Sequence, residues 1–222
     1  MTSASAKIAL VTGASRGLGA AMAEGLAARG WQVIAVARTV GGLEEVDDRL
    51  RALALPGAGA LTLAPMDITN DDAMRHLCRS VHDRWGRLDL WVHSAVHAAP
   101  LSPAGHLDHK DWDKSVSINI RATGMLIPMV EPLLRASPTG TAMFFEDPRA
   151  GAKFFSAYGA SKAAQIALAR SWQAETVTTA PRVLIETPAP LATATRARFF
   201  PGEDRAPLAQ PRDEAERLIS LI

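Results

Sequence analysis

The sequence predicts an α/β protein built on a doubly wound parallel sheet, and two observations carry that prediction. Short apolar runs alternate along the chain with longer segments of helical periodicity, and a glycine-rich turn joins the first run to the first helix. The first run, Ile8-Ala9-Leu10-Val11, has no polar alternation, as expected of a strand buried on both faces. Thr12-Gly13-Ala14-Ser15-Arg16-Gly17-Leu18-Gly19 follows, and then Ala20 to Leu26 supplies strong helix formers. Glycine, lacking a β-carbon, lets the backbone approach a ligand closely, and the first N–H groups of a helix have no partner within it. The stretch therefore reads as a phosphate-cradling turn, with Gly13, Ser15, Arg16, Gly17, Leu18 and Gly19 as its binding candidates.

The remaining elements follow in order. Trp31 to Ala37 gives a second strand, Leu43 to Leu55 a helix, and Leu61 to Met66 a third strand ending at Asp67. Asn70 or Asp71 caps a helix running to about Trp85. Leu88 to His93 is a fourth strand, Asp108 to Arg135 is helical, and Thr141 to Phe145 is a fifth strand. Ser156 to about Val177 forms a long helix and Val183 to Glu186 a sixth strand. Pro128 and Pro132 each remove a backbone donor, so a kink or an early helix end is expected there. The segment from Pro188 to Pro211, carrying Phe199, Phe200, Arg196, Arg198 and Arg205, reads either as a mobile cover over a site or as an ordinary surface loop. Right-handed crossovers cover both faces of such a sheet, and ligands bind beyond the carboxyl ends of its strands.

Composition narrows the partners. At 222 residues the chain is read as one domain, residues 1–222, and 24 basic against 23 acidic residues give no general attraction to nucleic acid or to an acidic membrane surface. A small-molecule partner is expected. The single cysteine, Cys78, excludes an internal disulfide and falls at core spacing with Met74, Leu77, Val81 and Trp85. His93, His97, His106 and His109 lack a nearby cysteine or a ligand motif, so no metal is expected. No apolar run reaches the roughly 20 residues needed to span a bilayer, and a cytoplasmic protein is expected.

The Gly-x-x-x-Gly-x-Gly spacing of Gly13, Gly17 and Gly19, together with Tyr158-Gly159-Ala160-Ser161-Lys162, resembles the short-chain dehydrogenase/reductase family over nearly the whole chain, from Lys7 to about Ile222. Thr193 to Asp204 resembles a poorly characterised bacterial subgroup of it. The resemblance implies a Rossmann-like sheet, a nicotinamide dinucleotide, and hydride exchange with a carbonyl or alcohol substrate. It makes Tyr158 the proton donor and acceptor and Lys162 the holder of the nicotinamide ribose. Asn119 then helps to hold a relay water, or is a helix-interior polar residue bonded to backbone. The residues agree in part: Tyr158 and Lys162 share one helix face, and a nearby ammonium favours the phenolate of a group whose ordinary pKa is about 10.

By the same resemblance Ser94, Ala95, Pro188 and Thr193 meet the cofactor, and Asp67 either contacts adenine or starts the following helix. NAD-preferring relatives place an acid at the end of the second strand. Here Ala37 stands there, with Arg38 and Arg16 able to pair with a 2′-phosphate, so NADP(H) is predicted over NAD(H).

The chain also departs from the family. The serine expected at the end of the fifth strand is missing, and its place falls to Phe145, Glu146 or Asp147. A carboxylate there would raise the phenol pKa and oppose Lys162, and losing one such donor costs on the order of 100- to 1,000-fold in rate. His93-Ser94-Ala95-Val96 replaces Asn-Asn-Ala-Gly, and the usual last strand is expected to be absent. The family pairs the helices around 119–134 and 156–177 between subunits, which implies a homodimer or a tetramer. A rival reading keeps the cofactor fold without efficient chemistry, as a redox sensor or interaction module.

Overall fold

Six parallel strands in the order β3-β2-β1-β4-β5-β6 form the sheet of the computed structural model, which describes residues 6–222. They are β1 (Ile8–Thr12), β2 (Gln32–Ala37), β3 (Leu61–Pro65), β4 (Leu90–His93), β5 (Thr141–Phe145) and β6 (Arg182–Glu186). Alternate side chains of each strand face opposite layers, as the pleat requires. Ile8, Leu10, Trp91 and Phe144 pack with α3 (Asp71–Trp85), α5 (Ala122–Arg135) and α6 (Ser156–Glu175). Ala9, Val11, Val92 and Phe145 pack with α1 (Gly17–Ala28), α2 (Val40–Ala52) and α8 (Pro211–Ile219). Because both faces of the central strands are covered, β1, β4 and β5 are buried throughout, whereas the edge strands β3 and β6 carry exposed Thr62, Pro65 and Arg182.

Helix ends follow local chemistry. Asn70 caps α3 by accepting the Ala73 N–H at 3.0 Å, Asp71 and Asp72 sit in its first turn, and Gly86 closes it in the left-handed region. The α3 face toward the sheet buries Met74, Cys78 and Val81, and burial pushes the Cys78 thiol up to about 11.

The stretch expected to break at its prolines does not. Both Pro128 and Pro132 lie inside continuous α5 on its exposed side, opposite buried Leu126, Val130 and Leu133, where water can satisfy the carbonyls that lose a donor. The irregularity comes earlier, as a π-helical turn over Val116–Arg121 between α4 (His109–Ser115) and α5. Such wide turns are frequent at functional positions, and Asn119 sits within this one.

From β3 the chain crosses back past β1 and β2 to β4. The strand order reverses between β1 and β4, and this opens a crevice at their carboxyl ends. After β6 the chain forms α7 (Ala194–Phe199) and α8, and the described residues add no further strand to the sheet. No described helix is long and apolar enough to cross a membrane.

Candidate active site

At the reversal point lies a cleft of about 1060 Å³, lined from one end to the other by the glycine turn, the ends of β2, β4 and β5, Tyr158 and Lys162 of α6, and the segment after β6. At one end Gly13 adopts φ +81°, and a β-carbon there would stand 2.6–2.7 Å from the backbone of Ser94 and Ala95. One on Gly19 would be driven into the Gly13 carbonyl and the Ser94 hydroxyl. The two glycines thus let the turn seat directly on the end of β4. The first turn of α1 has no acidic side chain and Arg16 gives it no side-chain cap, so its N–H groups are left for a ligand in the cleft. Ser15, Arg16, Gly17 and Leu18 line this end, and Thr193 packs across from Gly17 while capping α7 through its hydroxyl. Pro188 lines the same wall.

Ala37 closes β2 and is followed by exposed Arg38, and Arg16 is exposed beside it. Arg49, in the last turn of α2, also reaches this rim, where it pairs with Glu24 at 2.6 Å. Asp67 lines the cleft and accepts the backbone N–H of Thr69 at 2.9 Å and its hydroxyl at 2.8 Å. Because Asn70 is the cap, Asp67 shapes the turn ahead of α3 rather than starting the helix. Bare backbone, an uncapped helix start and guanidinium groups beside a strand end free of acid together fit a phosphate-bearing dinucleotide.

The other end is crowded with side chains. Of the three residues open for the missing serine, Phe145 packs into the core layer of α1 and Glu146 pairs with Arg170 at 2.8 Å. Asp147 is the one that meets Tyr158: the phenol donates to its Oδ2 at 3.1 Å. Arg149 holds the same carboxylate through Nε at 3.1 Å and Nη2 at 3.2 Å, and its backbone N–H adds a third bond at 3.0 Å. Burial alone would raise the Asp147 carboxyl, but the bonds and charge of Arg149, with the phenol's bond, hold it below its ordinary value. Burial, then the charge and hydrogen bond of Asp147, push the Tyr158 phenol above its own.

Lys162, one turn after Tyr158 on α6, hydrogen-bonds within its own helix. Its buried ammonium donates to Gln165 Oε1 at 2.6 Å, and burial, opposed by the charges of Asp147 and Glu146, brings it down to about 8. Gln165 in turn donates to Thr123 Oγ1 at 2.9 Å, and His93 bridges Thr123 and Thr12 with contacts of 2.9 and 2.8 Å. Burial, and then the charge on Lys162, hold His93 down at about 3, so it is a neutral link rather than a charged one. This polar chain was missed in the sequence, although Thr123 and Gln165 lie four residues after Asn119 and three after Lys162, on shared helix faces.

Asn119 is buried with both amide N–H groups in use, one on the His97 carbonyl at 3.0 Å and one on Ser161 Oγ at 2.9 Å, while its Oδ1 accepts the His97 N–H at 2.7 Å. It pins the loop after β4 to α6. Ser161 returns its proton to the Tyr158 carbonyl, and Ser156 bonds Ser102, so neither stands in for the missing serine.

The segment after β6 closes this end as a wall with its own short helix. Buried Phe199 lies 4.9 Å from the Tyr158 ring and 5.5 Å from Phe155, and Val96 packs against the same cluster. The Arg149 guanidinium rests against both Phe155 and Phe200, 5.2 and 5.1 Å from their ring centres.

Comparison with known proteins agrees with this geometry. An uncharacterized oxidoreductase of Mycobacterium tuberculosis is 32% identical over 191 residues, 82% of this chain and 56% of that protein, so the chain spans little more than half the length of such relatives. A short chain dehydrogenase from Salmonella enterica serovar Typhi superposes with a TM-score of 0.85 at 27% identity, covering 94% of this chain and 86% of that one. A metagenomic short-chain oxidoreductase solved in complex with NADP gives 0.78 at 26% identity, covering 97% and 89%. The family described as short chain dehydrogenase matches residues 7–204, and with the glycine turn, the strand order and the cleft all in place, this chain belongs to that family.

Proposed function

We propose that the protein is an NADP(H)-dependent oxidoreductase acting on a carbonyl or alcohol substrate. The observation that carries this reading is a single cleft that joins the phosphate-cradling end of α1 to Tyr158 and Lys162. Hydride chemistry is what a bound nicotinamide supplies. The chain's own part is to cradle the diphosphate on Gly13, Ser15, Gly17, Leu18 and Gly19, and to seat the rest of the dinucleotide against Ser94, Ala95, Asp67, Pro188 and Thr193. Tyr158 moves the proton, with Lys162 and Asn119 in support.

The absence of an acid after β2 and the exposed Arg16 and Arg38 support NADP(H) over NAD(H), and relatives solved with NADP agree with it. A cytoplasmic setting and a homodimer paired through α5 and α6, or a tetramer built from it, accompany this reading; a light-scattering mass of one chain would overturn the oligomer.

The test is oxidation of NADPH by the purified protein over a panel of ketones, aldehydes and quinones, beside Tyr158→Phe. Turnover falling roughly 100- to 10,000-fold in the variant is the expected result. One observation favours a second reading, that of a cofactor-binding sensor or interaction module: Asp147 holds the phenol protonated and Lys162 is turned to Gln165. Tight NADPH binding with no turnover on any compound would move the assignment there.

A further inference from the structure

We infer that Asp147 is the second member of a proton relay acting through Tyr158, so that this site exchanges a substrate proton with a neutral tyrosine and an ionised carboxylate instead of a serine and a phenolate. The inference rests on the oxidoreductase reading above and concerns what the missing serine became.

The argument begins with hydrogen-bond inventory. A neutral phenol has one proton and can accept two hydrogen bonds. Here the proton is committed to Asp147 Oδ2 at 3.1 Å, which leaves the oxygen's lone pairs for a donor arriving in the cleft. An alcohol hydroxyl is such a donor. Asp147 is kept as an acceptor by three bonds from Arg149, and the Arg149 guanidinium rests against the adjoining rings of Phe155 and Phe200, so the carboxylate is oriented before a substrate arrives. In alcohol oxidation the substrate O–H proton passes to the Tyr158 oxygen as the phenol's own proton passes to Asp147. The carbon's hydrogen leaves as hydride to an oxidised nicotinamide, and the C–O single bond becomes C=O. Asp147 then loses its proton to solvent through the cleft it lines. Carbonyl reduction is the same sequence reversed.

Other charged groups bear on this pair. Glu146 and Arg149 flank it from the loop after β5, Lys162 from α6, and Arg196 with its partner Glu203 from the segment after β6. Arg170 pairs with Glu146, and Arg149 remains the cation that Asp147 touches directly.

The chain contains a single tyrosine, so the phenolate absorbance of the whole folded protein reports Tyr158 alone, without cofactor or substrate. In wild type the phenolate is expected only at strongly alkaline pH. In Asp147→Asn, and independently in Asp147→Ser, it is expected at a pH lower by about one unit or more, because the neighbouring negative charge is gone. An unchanged titration in both folded variants would overturn the proposal. The kinetic arm uses NADP⁺ with a panel of secondary alcohols. Asp147→Asn should lose roughly 10- to 100-fold in kcat/KM near pH 7, with the loss shrinking as pH rises and Tyr158 ionises unaided. A loss of the same size at every pH would mean that Asp147 only shapes the site, and would also overturn the proposal. If wild type turns over nothing, the oxidoreductase reading fails while the titration still decides whether Asp147 controls the phenol.

Discussion

Asp89 and Asp147 lie at opposite ends of the same sheet and are built from the same parts. Each carboxylate has an arginine two residues away in sequence, one hydroxyl donor and one backbone N–H. Asp89, at the amino end, accepts Arg87 Nε at 3.1 Å, the Ser137 hydroxyl at 2.6 Å and the Ile8 N–H at 2.8 Å. Asp147, at the carboxyl end, accepts Arg149, the Tyr158 hydroxyl and the Arg149 N–H. The difference lies in where the donors come from. Those on Asp89 reach 81 and 48 residues along the chain, so the carboxylate ties the start of β1 to the approach to β5. Those on Asp147 are local except for one phenol that faces a cleft. The same chemical kit is a clasp at one end of the sheet and a piece of a site at the other.

The largest effect should therefore fall on the end without a cleft. Asp89→Ala leaves buried donors unpaired and is expected to cost about 3 kcal/mol, lowering Tm by roughly 6–12 °C. Asp147→Ala should cost less than about 1 kcal/mol, because its arginine partner is solvent-screened. Thermal melts of the two variants make the contrast quantitative; equal losses would break it.

The two ends also differ in how legible they were. The central strands were readable because burial on both faces leaves an unbroken apolar run, and the glycine turn because Gly13 and Gly19 meet backbone that a side chain would displace. Tyr158 and Lys162 were readable as a pair on one helix face. Their partners were not: the spacing put an ammonium beside a phenol, whereas the fold sends Lys162 to Gln165 and gives the phenol a carboxylate. Counting along the loop after β5 left Phe145, Glu146 and Asp147 open, because a strand's last residue is fixed by pairing and packing that the loop does not encode. Once Phe145 is seen in the α1 layer and Glu146 on Arg170, one residue remains. The proline-based break in the helix failed for a related reason, since propensity does not say which face a proline occupies.

A smaller effect sharpens the contrast through pH. Lys162, buried near Asp147, is held at about 8, below the ordinary lysine value, so between pH 8 and 10 the unfolded chain binds more protons than the folded one at this residue. Stability contributed by Lys162 is therefore gained as pH rises through that window and lost as pH falls back through it. Lys162→Met should flatten the rise by about 2 kcal/mol between pH 8 and 9.5, measured by urea denaturation. A wild-type slope unchanged by the substitution would show that the ammonium is not held in a buried setting.

The smallest predicted change in stability separates the two arginines. Arg149→Gln removes the guanidinium bonds and charge that help to hold Asp147 low, leaving the backbone N–H of residue 149 and the phenol to oppose burial, so the carboxyl should rise. Folding should change by less than about 1 kcal/mol, since the pair lies partly in solvent. If Asp147 must be ionised to take the phenol's proton, the pH below which alcohol oxidation declines must move upward in Arg149→Gln. Arg87→Gln weakens the other clasp, where no substrate proton passes, so it should lower Tm while leaving that acid limb where it is in wild type. An acid limb that moves with Arg87, or stays still with Arg149, would mean that the two carboxylates differ only in position and not in what they do.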